Sequence, residues 1–347
     1  MSTVLSHLGF LEVGSPDPAA SARFYTEKFG MRVVEQRGDT YFLRCWGDHY
    51  RYSLVVSPAE DGCLKTMGWR TASAEALEEA AARVESVGGV SGSWETGPFG
   101  HGRAFRFEGP QGHSMTLFWE VDEFVADEEH ASIYPDRPER RSLHAAASRF
   151  LDHVTIAAQD VTAFAEWYSE VLGFRIMAYT KLDDAPVVVF GVLTTNEKSH
   201  DLGIVIDTSS TRGRVHHIAF WVDQPSDLVR IAEVMTENGV QVEYGPGIHG
   251  IGEQNFLYLR EPSSLRVEVN SGGYRNYVPD WRARTWSPTQ GANDLFRNWD
   301  MPDSMMQAFP AADGLTATED GASPALAAEL ANPWAVNNKK TPAHTQV

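Results

Sequence analysis

The sequence predicts an α+β protein in which four repeated βαβββ modules pair into two half-open barrel domains. Two internal matches and one recurrent pattern lead there. ARFYTEKFGMRVV (22–34) and AEWYSEVLGFRIM (165–177) share Ala, Tyr, Glu, Gly and Arg at a constant offset of 143. GPFGHG (97–102) and GPGIHG (245–250) repeat at an offset of 148. Short segments such as LDHVTIAA (151–158) and RVHHIAFWV (214–222) alternate in polarity and read as β-strands.

The modules span about 4–60, 62–120, 150–208 and 213–271. In the first and third, a helix with an aromatic stripe closes at Gly30 or Gly173, and a strand follows. In the second and fourth, the helices end in ESVGG (85–89) and TENGV (236–240). A Gly-Pro segment, a strand, a turn at Pro110 or Pro262 and a last strand come next. APVVVFGVL (185–193) and DLGIVID (201–207) supply later strands of the third module. Two paired modules make one curved sheet whose concave face takes a ligand. The expected domains are 1–120, an N-terminal barrel without metal, and 150–290, a metal-binding barrel with a covering segment. A linker (121–149) joins them, and a tail (291–347) follows. The segment 271–291 carries Tyr274, Tyr277, Trp281 and Trp286, expected to dock over the second barrel or to roof its pocket. Beyond about residue 311, Ala, Thr, Asp, Pro and Asn predominate and a mobile end is expected.

Composition narrows the function. Lys and Arg total 29 against 47 Asp and Glu, a net charge of −18. Nucleic acids and anionic membranes reward a basic surface, so neither is an expected partner. Cys45 and Cys63 are the only cysteines, which argues against a disulfide framework, a Cys-based zinc site or an iron–sulfur cluster. With no leader-like or spanning segment in view, the expected location is cytoplasmic.

His153, His217 and Glu268 lie on three separate predicted strands and face the same way. Two imidazoles and a carboxylate so arranged form a facial triad, which holds a divalent metal and leaves its other positions open. Iron suits oxygen chemistry, zinc offers no redox step, and manganese stays open. His216, next to His217, is expected on the opposite face by the strand period of two. The counterparts in the first half are read as His7, Lys65 and Thr116, so that half is expected to bind no metal.

GPGIHGIGEQNFLYLREPSSLRVE (245–268) and HHIAF (216–220) carry a resemblance over residues 4–290. The chain resembles the type I extradiol ring-cleavage dioxygenases of the vicinal oxygen chelate superfamily, near the catechol 2,3- and homoprotocatechuate 2,3-dioxygenases. The resemblance implies Fe(II), with Mn(II) as an alternative, held by His153, His217 and Glu268. It implies meta cleavage of a catechol with O₂ to a 2-hydroxymuconic semialdehyde, in aromatic-compound degradation. It implies His200 as acid and base, with His249 and Tyr258 hydrogen-bonding to substrate, and a homo-oligomer, commonly a tetramer. The chain departs from the pattern in the turn Glu-Pro-Ser-Ser-Leu-Arg (261–266) and at two single positions. Ile248, counted among the substrate-binding positions, stands where the homoprotocatechuate enzymes tend to carry Arg. Thr155 stands where Asn is expected. Substrates without a side-chain carboxylate follow, unless Arg282, Arg284 or Arg297 supplies a cation. A 4-hydroxyphenylpyruvate dioxygenase-like enzyme and a non-catalytic ligand-binding protein are the alternatives.

Overall fold

Every predicted module folds as a strand, a helix and three further strands. The computed structural model describes residues 4–143, 147–295 and 301–312. Residues 313–347, where a mobile end is expected, and Arg297 lie outside the described residues. The first module comprises β1 (Leu5–Ser15), α1 (Pro18–Phe29), β2 (Arg32–Arg37), β3 (Thr40–Arg44) and β4 (Leu54–Pro58). The second comprises β5 (Cys63–Thr71), α2 (Ala74–Ser86), β6 (Gly92–Thr96), β7 (Arg103–Glu108) and β8 (Ser114–Phe118). The third holds β9 (Phe150–Ala158), α3 (Val161–Leu172), β10 (Arg175–Lys181), β11 (Val188–Thr194) and β12 (Leu202–Ile206). The fourth holds β13 (Val215–Trp221), α4 (Pro225–Glu237), β14 (Val242–Ile248), β15 (Gln254–Arg260) and β16 (Arg266–Gly272). A short β17 (Arg284–Trp286) comes after the modules.

The repeated sequence produces repeated helix ends. Asp17 caps α1 by accepting from the Ala20 N–H at 2.9 Å, and Asp160 caps α3 from Ala163 at the same distance. Both helices stop at glycines in the left-handed region, Gly30 (φ 64°) and Gly173 (φ 76°). Tyr25 and Tyr168, 143 apart, are both buried against the core. The end of α2 differs from expectation. It stops at Ser86 with Val87 extended, and Gly89 (φ 85°) turns the chain only afterwards.

Two sheets result, with strand orders β2-β3-β4-β1-β5-β8-β7-β6 and β14-β15-β16-β13-β9-β12-β11-β10-β17. At each centre the first strands of two modules pair antiparallel, β1 with β5 and β9 with β13. Each module's last strand returns parallel to its first. In the second sheet Val154, Ile156, Ile218, Phe220, Val267 and Val269 enter one apolar core, and His153, Thr155, His217 and Glu268 line a cavity. Strand alternation separates the two sets.

The halves share that core, and Trp69 meets Phe174 edge-to-face at 4.9 Å between ring centroids. The linker is fixed to the first half by Glu139, a buried carboxylate bonded to Arg44 at 2.7 Å and Arg32 at 2.6 Å. Among the described residues no helix is long and apolar enough to cross a membrane.

His113 ties the halves together, its Nε2–H donating to the Arg214 carbonyl at 2.8 Å. Burial pushes its pKa down to about 4, although the Arg214 carbonyl acts the other way. The unfolded chain therefore takes up the proton first. Stability from this group is full above about pH 6.5 and falls as pH drops toward 4, by at most about 3 kcal/mol. We predict that urea midpoints measured from pH 7.5 to 4.5 fall more steeply in the parent than in His113→Gln, which keeps a donor and cannot titrate. Equal slopes would contradict the assignment.

Candidate metal centre

One small residue sets the register of the site. Ala219 on β13 pairs with His153 on β9 at one side and with Glu268 on β16 at the other. His217 precedes Ala219 by two residues, so it shares that face, and it pairs with Thr155. Tyr258 on β15 pairs directly with Glu268 and extends the row. A slip of one residue in any of these strands would send its site residue to the core face.

The three side chains converge. His153 Nε2 lies 3.1 Å from His217 Nε2 and 3.3 Å from Glu268 Oε2, and His217 Nε2 lies 3.0 Å from the same oxygen. Ligand atoms about 2.1 Å from a cation and at right angles to one another stand about 3.0 Å apart. The triangle therefore has the dimensions of one octahedral face. The second carboxylate oxygen, Oε1, is buried with no hydrogen-bond partner. A buried carboxylate so poorly supplied with donors is costly unless a cation completes its surroundings. Among the described residues this is the one such group of three.

Electrostatics agree with a cation's place. Burial alone would raise the Glu268 carboxyl, yet the two imidazoles hold it well below the usual range. Burial would lower His153, but Glu268 and Asp152 lift it to about 9, whereas burial takes His217 down to about 4. In the metal-free cluster His153 is thus the imidazole that favours its charged form, and a dication would displace that extra proton.

Asp152 holds His153 from behind, accepting from its Nδ1 at 2.8 Å. The carboxylate also accepts from Gln254 at 3.0 Å, Asn270 at 2.9 Å and Lys198 at 2.9 Å, and Lys198 reaches Asp201 at 3.1 Å. Sequence reasoning missed this support, because a period of two sets strand neighbours on opposite faces. The available signal was an acidic residue inside an apolar strand, which needs buried partners.

His200, His249 and Tyr258 line the same cavity as the triad. His200 lies just before β12, its ring centroid 4.3 Å from that of His153. Burial, with the charge on His153, keeps it neutral, well below the ordinary imidazole value. Its loop is tied by Asp201, which accepts from Thr194 at 3.1 Å and from the Thr195 N–H and hydroxyl at 2.8 Å. His249 stacks on Phe256 and donates from Nδ1 to the Asn293 carbonyl. Its Nε2 therefore accepts from the Tyr258 hydroxyl, 3.0 Å away.

Three expectations are corrected and one alternative is decided. His216 does not face away: its ring lines the cavity, with Nδ1 2.6 Å from His217 Nδ1. A register shift between Val215 and His217 breaks the strict alternation there. Ile248 is outside the lining, since it neighbours the inward His249, and Ile251 supplies the apolar contact instead. Of the two readings of the aromatic segment, docking is the one seen: Tyr274, Trp281 and Trp286 pack on Met177, Ala178 and Val192, and Tyr277 is exposed. The cavity is roofed from further along the chain, by Ala292, Asn293, Met301, Met305 and Met306. No Lys or Arg lines it among the described residues, Arg282 and Arg284 included. Lastly, Gly68 pairs with Phe10 and Thr116 as Ala219 pairs with His153 and Glu268. The first-half counterparts are thus Phe10, Thr66 and Thr116. Bulges in β1 shift the frame from His7, which stacks on Tyr50. Phe10, Phe118, Tyr52 and His101 pack together there.

The sequence matches the Glyoxalase/Bleomycin resistance protein/Dioxygenase superfamily over residues 5–117 and 150–269. It is 30% identical to a manganese-dependent 2,3-dihydroxybiphenyl 1,2-dioxygenase of Geobacillus genomosp. 3, across 82% of this chain and 91% of that one. A metapyrocatechase of Geobacillus stearothermophilus is 27% identical, across 86% and 92%. Among solved structures, homoprotocatechuate 2,3-dioxygenase of Arthrobacter globiformis shares the fold with a TM-score of 0.79 and 23% identity, covering 90% of this chain and 94% of that one.

We predict one divalent cation per chain. Elemental analysis after loading with Fe(II) or Mn(II) should read one equivalent for the parent and close to none for His153→Ala, His217→Ala or Glu268→Ala. Two equivalents in the parent would contradict a single site.

Proposed function

The chain belongs to the glyoxalase, bleomycin resistance protein and dioxygenase superfamily, and we propose that within it this protein is an extradiol dioxygenase that cleaves catechols beside the diol with O₂, in aromatic-compound degradation. One observation carries the reading: the triad opens into an apolar cavity that also holds His200, His249 and Tyr258. His153, His217 and Glu268 would hold Fe(II), with Mn(II) as the second ion. The metal would supply a redox-active centre at which diol and O₂ are brought together. The names of the relatives support this choice, one manganese-dependent and another, in Rhodococcus jostii, an iron-dependent extradiol dioxygenase.

The protein's own groups divide the remaining work. Neutral His200 can take a proton from a diol hydroxyl and return it later in the reaction. Tyr258 carries a hydroxyl proton that burial, with Glu268 beside it, makes hard to lose, so it acts as a donor. His249 orients that hydroxyl through its bare Nε2. Val192, Ile251 and the three methionines of the roof shield an aromatic ring from water. A 4-hydroxyphenylpyruvate dioxygenase-like reading, with the same ligand types and a keto acid substrate, gives no account of His200, His249 and Tyr258 meeting in the cavity. A purely ligand-binding role gives no account of the convergent triad.

A homo-oligomer, tetrameric by the resemblance, belongs to the same reading. Its support is the exposed apolar surface of Val125, Ile133, Tyr134 and Leu143 in the linker. A cytoplasmic location is supported by the scarcity of cysteine, with Cys45 and Cys63 both buried in the core.

Catechol and O₂ should yield a yellow semialdehyde, and cis,cis-muconate would contradict extradiol cleavage. His200→Phe should retain metal and slow turnover by roughly 10²–10⁴. Metal loss in that variant, reversed by excess Fe(II), would make His200 a ligand. Because no cation lines the cavity, 3-methylcatechol should be preferred to homoprotocatechuate. A tenfold advantage in kcat/KM for the acid would overturn that preference.

A further inference from the structure

His216 has no part in the chemistry above, yet both its ring nitrogens are bonded inside the site. Its Nε2 lies 2.6 Å from the carbonyl oxygen of Met305, and its Nδ1 lies 2.6 Å from Nδ1 of His217. A carbonyl only accepts, so Nε2 of His216 carries a proton. The ring is buried beside Arg266, whose guanidinium donates to the His216 carbonyl at 3.0 Å and is paired with Glu243 at 2.8 Å, and a second cation there with no carboxylate bonded to it would be costly. Neutral His216 therefore has a bare Nδ1. Facing it, Nδ1 of His217 must be the donor, which leaves the lone pair on Nε2 of His217 aimed at Glu268 and the triad.

The carbonyl at the start of this relay is itself held firmly. Arg266 donates to the Ser304 carbonyl at 2.7 Å and to that of Gln307 at 3.0 Å. Arg214 binds the Ala308 carbonyl, and the Phe309 N–H donates to Val215 at 2.7 Å. The Phe309 ring lies under Arg260 and Arg266. Every one of these contacts ties the C-terminal segment to β13 or to the β15–β16 hairpin around the ligands.

We infer that His216 is a positioning residue: docking of the segment 301–309 fixes its tautomer through the Met305 carbonyl, and His216 in turn fixes His217 in the tautomer that presents Nε2 to a metal. The inference rests on the metal centre proposed above. The two imidazole ligands would then be oriented by different means, His153 by a carboxylate and His217 by a neutral ring under backbone control.

The test uses the full chain and Mn(II), with free Mn(II) read by electron paramagnetic resonance. His216→Phe keeps ring volume and loses both bonds, and it should weaken Mn(II) binding by roughly 10–100-fold. His216→Gln offers one acceptor and one donor and should stay within about threefold of the parent. Phe309→Ala, remote from the cavity, should weaken binding in the parent and add nothing in the His216→Phe background. Unchanged affinity in both His216→Phe and Phe309→Ala would overturn the inference, as would additive losses. A further readout does not depend on how well His216→Phe folds. Long-range ¹H–¹⁵N spectra of the zinc-loaded parent should show His216 protonated at Nε2 and His217 at Nδ1, and the reverse tautomers would overturn the relay. His217→Ala separates the two levels. If it leaves Mn(II) affinity intact, the metal centre itself is wrong. If it abolishes binding while His216→Phe does not, only the relay fails.

Discussion

The pairing of Ala219 with two partners is the constraint on which the rest depends. Hydrogen bonds along β9, β13 and β16 bring His153 and Glu268 to either side of one methyl group, with His217 two residues away on the same face. No loop closure is needed to assemble the triad. Val154, Ile218 and Val267 bury themselves behind it, so the hydrophobic pattern that folds the sheet also selects the face on which the polar groups meet.

That placement concentrates titratable groups in a setting that disfavours charge. The cluster is made tolerable by specific partners: Asp152 behind His153, Lys198 between Asp152 and Asp201, and His216 behind His217. Glu268 Oε1 is among the buried acceptors left without a partner, as are Gln254 Oε1 and Asn270 Oδ1, and a cation would complete the carboxylate's surroundings. The first half shows the same architecture without that need. Phe10, Thr66 and Thr116 stand at the equivalent positions, the two hydroxyls lie 3.3 Å apart, and aromatic rings fill the space. A duplicated scaffold thus carries one polar centre and one apolar plug.

Much of this was legible in the sequence, for identifiable reasons. The repeat and the helix-ending glycines Gly30 and Gly173 are local signals, and they led to the βαβββ order. His153, His217 and Glu268 were visible because alternation survives near them. His216 and the counterpart of His153 were misread because β-bulges interrupt the alternation, and no local signal announces a bulge. Ile248 was carried in by resemblance, and the inward turn of His249 excludes it from the cavity. The methionine roof was hidden for another reason: Met301, Met305 and Met306 lie far beyond the last module, and only long-range bonds to Arg266 and Arg214 bring them back.

The account's central claim is that a divalent cation sits on the triangle made by these three strands. Anomalous diffraction at the manganese edge from crystals of the Mn(II)-loaded chain tests it most directly. The account predicts one peak about 2.2 Å from His153 Nε2, His217 Nε2 and a Glu268 carboxylate oxygen. A fully loaded crystal with no density there, or with its peak on other residues, would contradict it.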